Sequence, residues 1–192
     1  MMAQDRRALI LVTAMAAIFF AAFVPRFVAR LDPLTGQALG KADFNGGFPA
    51  ELGVSAHPKN DDRTGELLFF NYGKQWPYLN YGVVDAATDV VHYDPVELPG
   101  PRLPHDMAYT ENYVIFNDFP LFWDADLLRA GQHVPRMLDL PSRFGILPRR
   151  GEPYQIRWFD AHPTSVLLFV TALVDGVAVV TDGTSLLYTS DS

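Results

Sequence analysis

Prolines and glycines break this sequence into short apolar runs, and that punctuation constrains the fold more than any other feature. With 15 Pro and 14 Gly in 192 residues, long uninterrupted helices have little room, and β structure with many turns is expected. The turn sequences are explicit: Asp32-Pro33-Leu34-Thr35-Gly36, Asp61-Asp62-Arg63-Thr64-Gly65, Asp85-Ala86-Ala87-Thr88-Asp89 and Val174-Asp175-Gly176. Between them lie segments rich in aromatic and β-branched residues, which suit a pleated, half-buried surface. These predict strands over Glu66 to Tyr72, Leu79 to Asp85, Val90 to Tyr93, Met107 to Thr110 and Tyr113 to Asp118. Further strands are expected over Gln155 to Phe159, Ser165 to Leu173 and Val177 to Thr181. Asp124 to Gly131 reads as a single helical turn ended by its glycine. Short strands at regular turn spacing point to a sandwich, barrel or propeller.

Composition narrows the function classes. At 49% hydrophobic and 13% aromatic, the chain can bury a core and is not of the disordered class. A formal net charge of −7, with no basic stripe, argues against nucleic acid as a partner. There is no cysteine, so disulfides and thiolate metal ligands are excluded.

The N-terminal residues differ from the rest. Ala8 to Val24 is an apolar run preceded by Arg6-Arg7 and followed by Arg26 and Arg30. Its basic start and apolar middle resemble a signal sequence, although its one A-x-A triplet, Ala14-Met15-Ala16, falls inside the run. A signal, an anchor and a buried hairpin or helix are the open readings, so we separate residues 1–30 from a domain over 31–192. A cytoplasmic location, with or without membrane association, is the expectation, and the signal-like start leaves export open.

Two histidines stand at the heads of strand-like segments, His57 in Ser55-Ala56-His57-Pro58-Lys59 and His105 in Pro104-His105-Asp106-Met107. A loop that delivers a side chain to the end of a strand is where rigid β scaffolds place metal ligands. Imidazole suits iron, zinc or copper, and its second nitrogen is readily fixed by a carboxylate or carbonyl.

The words around these histidines run in order with others. They are Ala56-His57-Pro58-Lys59, Thr64-Gly65-Glu66, His105-Asp106, Thr110-Glu111-Asn112-Tyr113, Arg143-Phe144-Gly145-Ile146-Leu147-Pro148-Arg149 and Arg157-Trp158-Phe159-Asp160. Together they resemble the carotenoid cleavage oxygenase family, which includes the stilbene-cleaving lignostilbene dioxygenases. The resemblance extends from about Leu31 to Gly183 and implies an all-β fold: part of a seven-bladed β-propeller, its early to middle blades, preceded by the apolar N-terminal segment. It implies Fe2+ held by four imidazoles, and cleavage of a conjugated carbon–carbon double bond of a carotenoid, apocarotenoid or stilbene by O2. His57 matches the first ligand and His105 the second.

The third ligand position departs from the family. Members read close to Tyr-Val-Leu-His-Phe-x-Asn-Ala-Tyr-Glu-Asp-Gly, where this chain reads Ser165-Val166-Leu167-Leu168-Phe169-Val170-Thr171-Ala172-Leu173-Val174-Asp175-Gly176. Leu168 replaces the histidine, and Val174 replaces a carboxylate that would orient it. Leucine has no lone pair to donate. His162 lies six residues earlier, too far to substitute without a backbone shift. The fourth family histidine lies beyond Ser192, and Val24 stands near the place of another orienting Glu. The resemblance thus implies an incomplete, inactive copy of the enzyme.

Other groups carry less. Asp106 is a candidate orienting or structural carboxylate, Glu111 a turn residue, His92 a strand side chain and His133 a solvated loop residue. Phe69, Phe70, Tyr72, Tyr78, Tyr81, Phe116, Phe119, Phe122 and Trp123 are candidates for a tunnel wall or for core. An alternative function is a non-catalytic, membrane-associated binding protein for apolar ligands, which adds peripheral membrane contact to the expected partners.

Overall fold

The computed structural model describes residues 10–12, 29–32, 34–48, 53–55, 57–132, 135–137, 139–161, 165–175 and 178–186. In chain order the elements are β1 (Ile10–Val12), β2 (Ala29–Leu31), β3 (Ala38–Lys41), β4 (Lys59–Asp61), β5 (Glu66–Tyr72), β6 (Leu79–Val84) and β7 (Val90–Pro95). There follow β8 (Met107–Tyr109), β9 (Tyr113–Asp118), β10 (Leu121–Trp123), α1 (Ala125–Arg129), β11 (Pro135–Met137), β12 (Ser142–Pro148), β13 (Arg157–Ala161), β14 (Ser165–Asp175) and β15 (Ala178–Leu186).

Two four-stranded antiparallel sheets dominate, in the orders β4-β5-β6-β7 and β8-β9-β12-β13. Each is a meander, the unit from which propellers are built by radial repetition. The first has tight connections. In the second, the link from β9 to β12 carries the β10–β11 pair and α1. Smaller sheets are β1-β2-β3 and the β14–β15 hairpin, and β14 runs beside β8. Part of the N-terminal apolar run is therefore a strand: Ile10, Leu11 and Val12 pair with Leu31, Arg30 and Ala29. The remainder of that run, and with it the signal, anchor or helix readings, lies outside the described residues. No helix among the described residues is long and apolar enough to cross a membrane.

The continuous apolar run Leu67-Leu68-Phe69-Phe70 follows from burial of β5 on both faces. Side chains alternate along a strand. Leu68 and Phe70 join Leu79, Tyr81, Val83, Met107, Val114, Phe116 and Leu147 in a core between the two sheets. Leu67 and Phe69 point the other way, against Ala42, Phe44 and Phe48 from the segment before the first sheet. Full burial of each such side chain is worth about 1.5–3 kcal/mol. Gly82 lies under Phe69, where an added Cβ would come within 2.4 Å of the ring.

Turn chemistry acts as expected. Asp32 Oδ1 accepts hydrogen bonds from Leu34 N and Thr35 N, and Asp85 Oδ1 from Ala87 N and Asp89 N. Asp124 caps α1 through Asp126 N and Leu127 N, and Gly131 takes a φ of 75° just beyond it.

Two differences from the sequence expectation stand out. Ser142–Pro148 is a central strand, paired with both β9 and β13. Its arginine, glycine and proline mask the pattern. Gly145 is required there because a Cβ would lie 2.7 Å from Ile156 and from Trp158. The segment expected as a strand from Gln155 begins instead with a 3-10 turn over Pro153–Gln155, and its strand runs Arg157–Ala161. A capping box between Glu152 and Gln155 holds that turn.

Candidate metal centre

His57 and His105 each precede the first strand of a sheet, so they occupy the same place in successive units of the fold. Strands β4 and β8 are the facing edges of their sheets. Tyr109 Oη on β8 donates to Asn60 O on β4 at 3.0 Å. Upstream, Ser55 N donates to Phe70 O at 2.7 Å, which carries the approach to His57 along the edge of the first sheet. The Ser55 hydroxyl faces His105 O at 3.5 Å.

This geometry brings the two imidazoles together, with ring centres 4.7 Å apart and planes inclined at 43°. Two imidazoles bound side by side to one ion, each at a metal–nitrogen distance of about 2.1 Å, have ring centres roughly 4.5 Å apart. His57 Nε2 is buried and has no hydrogen-bond partner, which leaves a desolvated lone pair or N–H. Burial lowers the His57 pKa; Asp106 opposes this, while His105 and Lys59 add to it. The ring is therefore neutral at neutral pH, the form that ligates metals. The two residues fit an iron(II) ion as a pair of ligands. Among the described residues, no group of three or more His, Asp or Glu side chains is arranged to hold a metal.

Asp106, 1% exposed, lies between the two histidine segments. Its Oδ1 stands 2.7 Å from Lys59 Nζ and accepts from Met107 N at 2.8 Å. Lys59 is a residue that the sequence alone marks only as part of the Ala56-His57-Pro58-Lys59 motif. The available signal was its spacing: two residues after His57 along an extended chain puts it on the same face, and its counter-charge directly follows His105.

The other candidates fall apart in space or into the core. His92 is a largely buried strand side chain against the Tyr81 ring, with Nδ1 3.3 Å from Asp94 Oδ2. Burial lowers its pKa. Glu111 is an exposed turn residue, 3.7 Å from Arg63 Nη1. His133 and His162 lie outside the described residues. Leu168 and Val174 are on β14, paired through the backbone with Thr184 and Val179, and register shifts flank Leu168. Of the aromatics considered for a tunnel, Phe69, Phe70, Tyr81, Phe116 and Phe119 are core side chains, while Tyr72, Tyr78, Phe122 and Trp123 are half-buried.

The far end of the β4–β8 seam is closed by Arg149, which sequence reading passed over except as part of a motif. Its Nη1 is 2.7 Å from Asp61 Oδ2, its Nη2 2.9 Å from Glu66 Oε2, and its guanidinium lies over the Tyr109 ring. Tyr81 Oη donates to Arg149 O at 3.0 Å. Asp118 is gripped similarly by Arg102 and Arg143.

Comparison with known proteins shows the family to which the chain belongs. The isoeugenol monooxygenase of Pseudomonas nitroreducens is 36% identical over 157 residues, covering 80% of this chain and 33% of that protein. The carotenoid 9,10(9',10')-cleavage dioxygenase 1 of Phaseolus vulgaris is 37% identical over 129 residues, covering 65% and 23% respectively. The crystal structure of Pseudomonas brassicacearum lignostilbene dioxygenase superposes with a TM-score of 0.73 at 30% identity, over 83% of this chain and 34% of that one. Cobalt-substituted Synechocystis ACO shares the fold, with a TM-score of 0.71 at 19% identity over 89% of this chain. The chain spans about a third of the length of the first of these relatives. Residues 5–190 match the family described as RPE65, retinal pigment epithelial membrane protein, and this all-β chain belongs to that carotenoid cleavage oxygenase family.

Proposed function

We propose that this chain carries two of the four imidazole ligands, His57 and His105, of a non-haem Fe(II) dioxygenase centre. The enzyme type cleaves a conjugated carbon–carbon double bond of a carotenoid, apocarotenoid or stilbene. The observation that carries the reading is the 4.7 Å approach of two rings from successive sheets, one with a buried, unpartnered nitrogen. The relatives' names add the substrate class. Isoeugenol and stilbenes have an alkene conjugated to an aromatic ring, carotenoids to a polyene.

When bound, Fe(II) supplies the one-electron chemistry that dioxygen needs to react with a closed-shell alkene. The residues of this chain bind and orient. His57 stays neutral through burial and offers a lone pair without first losing a proton. His105 follows buried Pro104 and precedes buried Asp106, so its backbone is set on both sides. The two sheets correspond to two blades of a seven-bladed propeller, and β14–β15 to the start of a third.

Leu168 occupies the third histidine's position in the family word, and Val174 that of its orienting carboxylate. We therefore propose that this chain by itself holds iron weakly and does not complete turnover. The test is an assay of the Fe(II)-loaded chain with isoeugenol, a hydroxystilbene and an apocarotenoid in air, following aldehyde products. No product is expected. Multiple turnovers dependent on His57 and His105 would contradict the proposal.

A further inference from the structure

Lys59 and Asp106 form an ion pair that joins the two histidine segments directly. Nζ and Oδ1 are 2.7 Å apart, with Lys59 22% and Asp106 1% exposed. The pair is short in sequence from both rings, two residues after His57 and one after His105. Ser55 Oγ also donates to His105 O at this end, at 3.5 Å. Asp106 is further fixed by Met107 N at the start of β8, so the carboxylate is anchored to the second sheet and reaches to the first.

We infer that Lys59 and Asp106 are positioning residues: their ion pair is the clamp that sets the separation of the His57 and His105 imidazoles. The inference rests on the proposed ligand role for its consequence on metal affinity, while the ring separation is a separate readout. Burying a carboxylate this deeply carries a desolvation penalty that an ordinary surface pair would avoid. A geometric role accounts for a buried carboxylate that ties the His105 segment to the His57 segment through Lys59. Outer partners that orient ligands typically change metal affinity by about 10–100-fold when removed.

The test compares the full chain with Lys59→Met/Asp106→Leu, Asp106→Asn and the conservative Lys59→Arg. The double change removes both charges at similar volume, so neither is left buried and alone. Two readouts are taken on each protein: the nuclear Overhauser effect between the His57 and His105 ring protons without metal, and affinity for Co(II) from its visible spectrum. The uncharged double variant should lose most of the inter-ring effect and bind Co(II) about 10–100-fold more weakly, while Lys59→Arg retains both. An inter-ring effect of parental strength in the folded double variant would overturn the clamp. Should that variant not fold, Asp106→Asn decides by the same criterion, since it keeps the side-chain volume and a carbonyl acceptor for Met107 N. If Co(II) binding by the parent does not depend on His57 and His105, the ligand proposal fails, and the metal-free measurement still decides the clamp.

Discussion

The two ends of the β4–β8 seam are held by different means. At one end Arg149 satisfies Asp61 and Glu66, lies over Tyr109, and receives the Tyr81 hydroxyl on its carbonyl. At the other end the Lys59–Asp106 pair stands beside two imidazoles, one of which keeps a buried nitrogen without a partner. The first arrangement matches one buried cation with two carboxylates, as a joint between sheets requires, although Arg149 Nε also keeps no hydrogen-bond partner. The second leaves an imidazole nitrogen unused, and unlike a guanidinium nitrogen an imidazole nitrogen can offer a lone pair to a metal. Stability and binding are thus assigned to opposite ends of the same pair of strands.

That contrast is breakable by substitution. The largest effect is expected for Arg149→Met, which leaves Asp61 and Glu66 without their buried counter-charge. Breaking one side of such a pair costs about 3–5 kcal/mol, read from urea unfolding at neutral pH. A loss below about 1 kcal/mol would mean the Arg149 end is not the structural joint.

The same joint has a pH signature. The hydrogen bond from Arg149 is the main reason the Asp61 carboxyl sits below its ordinary value of 3.8. A carboxylate with a depressed folded-state pKa contributes stability that is complete above the unfolded value and lost as pH falls through the folded one. The gap in urea midpoint between the parent and Arg149→Met should therefore narrow as pH drops from about 5 to about 3. A gap that widens on acidification would give the Asp61 shift the wrong sign.

Smaller effects follow. Tyr81→Phe removes the donor to the buried Arg149 carbonyl and should cost about 1–2 kcal/mol. Since the ring and its packing against Phe116 stay in place, the loss should appear in the urea midpoint without a change in slope. His57→Ala, at the opposite end, should change stability by less than about 1 kcal/mol, because no described hydrogen bond to Nε2 is lost. A cost comparable to Arg149→Met would erase the distinction between the ends.

How much of this was legible in the sequence varies with the physics involved. Glu66–Tyr72 and Tyr113–Asp118 have the expected bounds, because central strands buried in a core are written as uninterrupted apolar and aromatic residues. The aspartate-led turns were legible because a side chain that bonds its own backbone is a local device. Ser142–Pro148 was not, since its glycine answers to Trp158 on the neighbouring strand and to Ile156 just before that strand. The three-residue strand β4 is too short to carry a period, whereas β8 falls within the expected Met107 to Thr110. The histidines were found through their neighbouring words. Their meeting is a property of the seam between sheets, and neither segment encodes it alone. Lys59 and Arg149 lay in plain view, yet their partners belong to the other sheet in both cases.

The central claim is that His57 and His105 act together on one metal ion. Its most direct test is anaerobic Fe(II) titration at equilibrium, with free metal left in place, for the parent, His57→Ala and His105→Ala. Weak, saturable binding of one ion by the parent, lost to the same background in both variants, is the predicted result. Parental affinity in either variant, or no saturable binding by the parent, would contradict it.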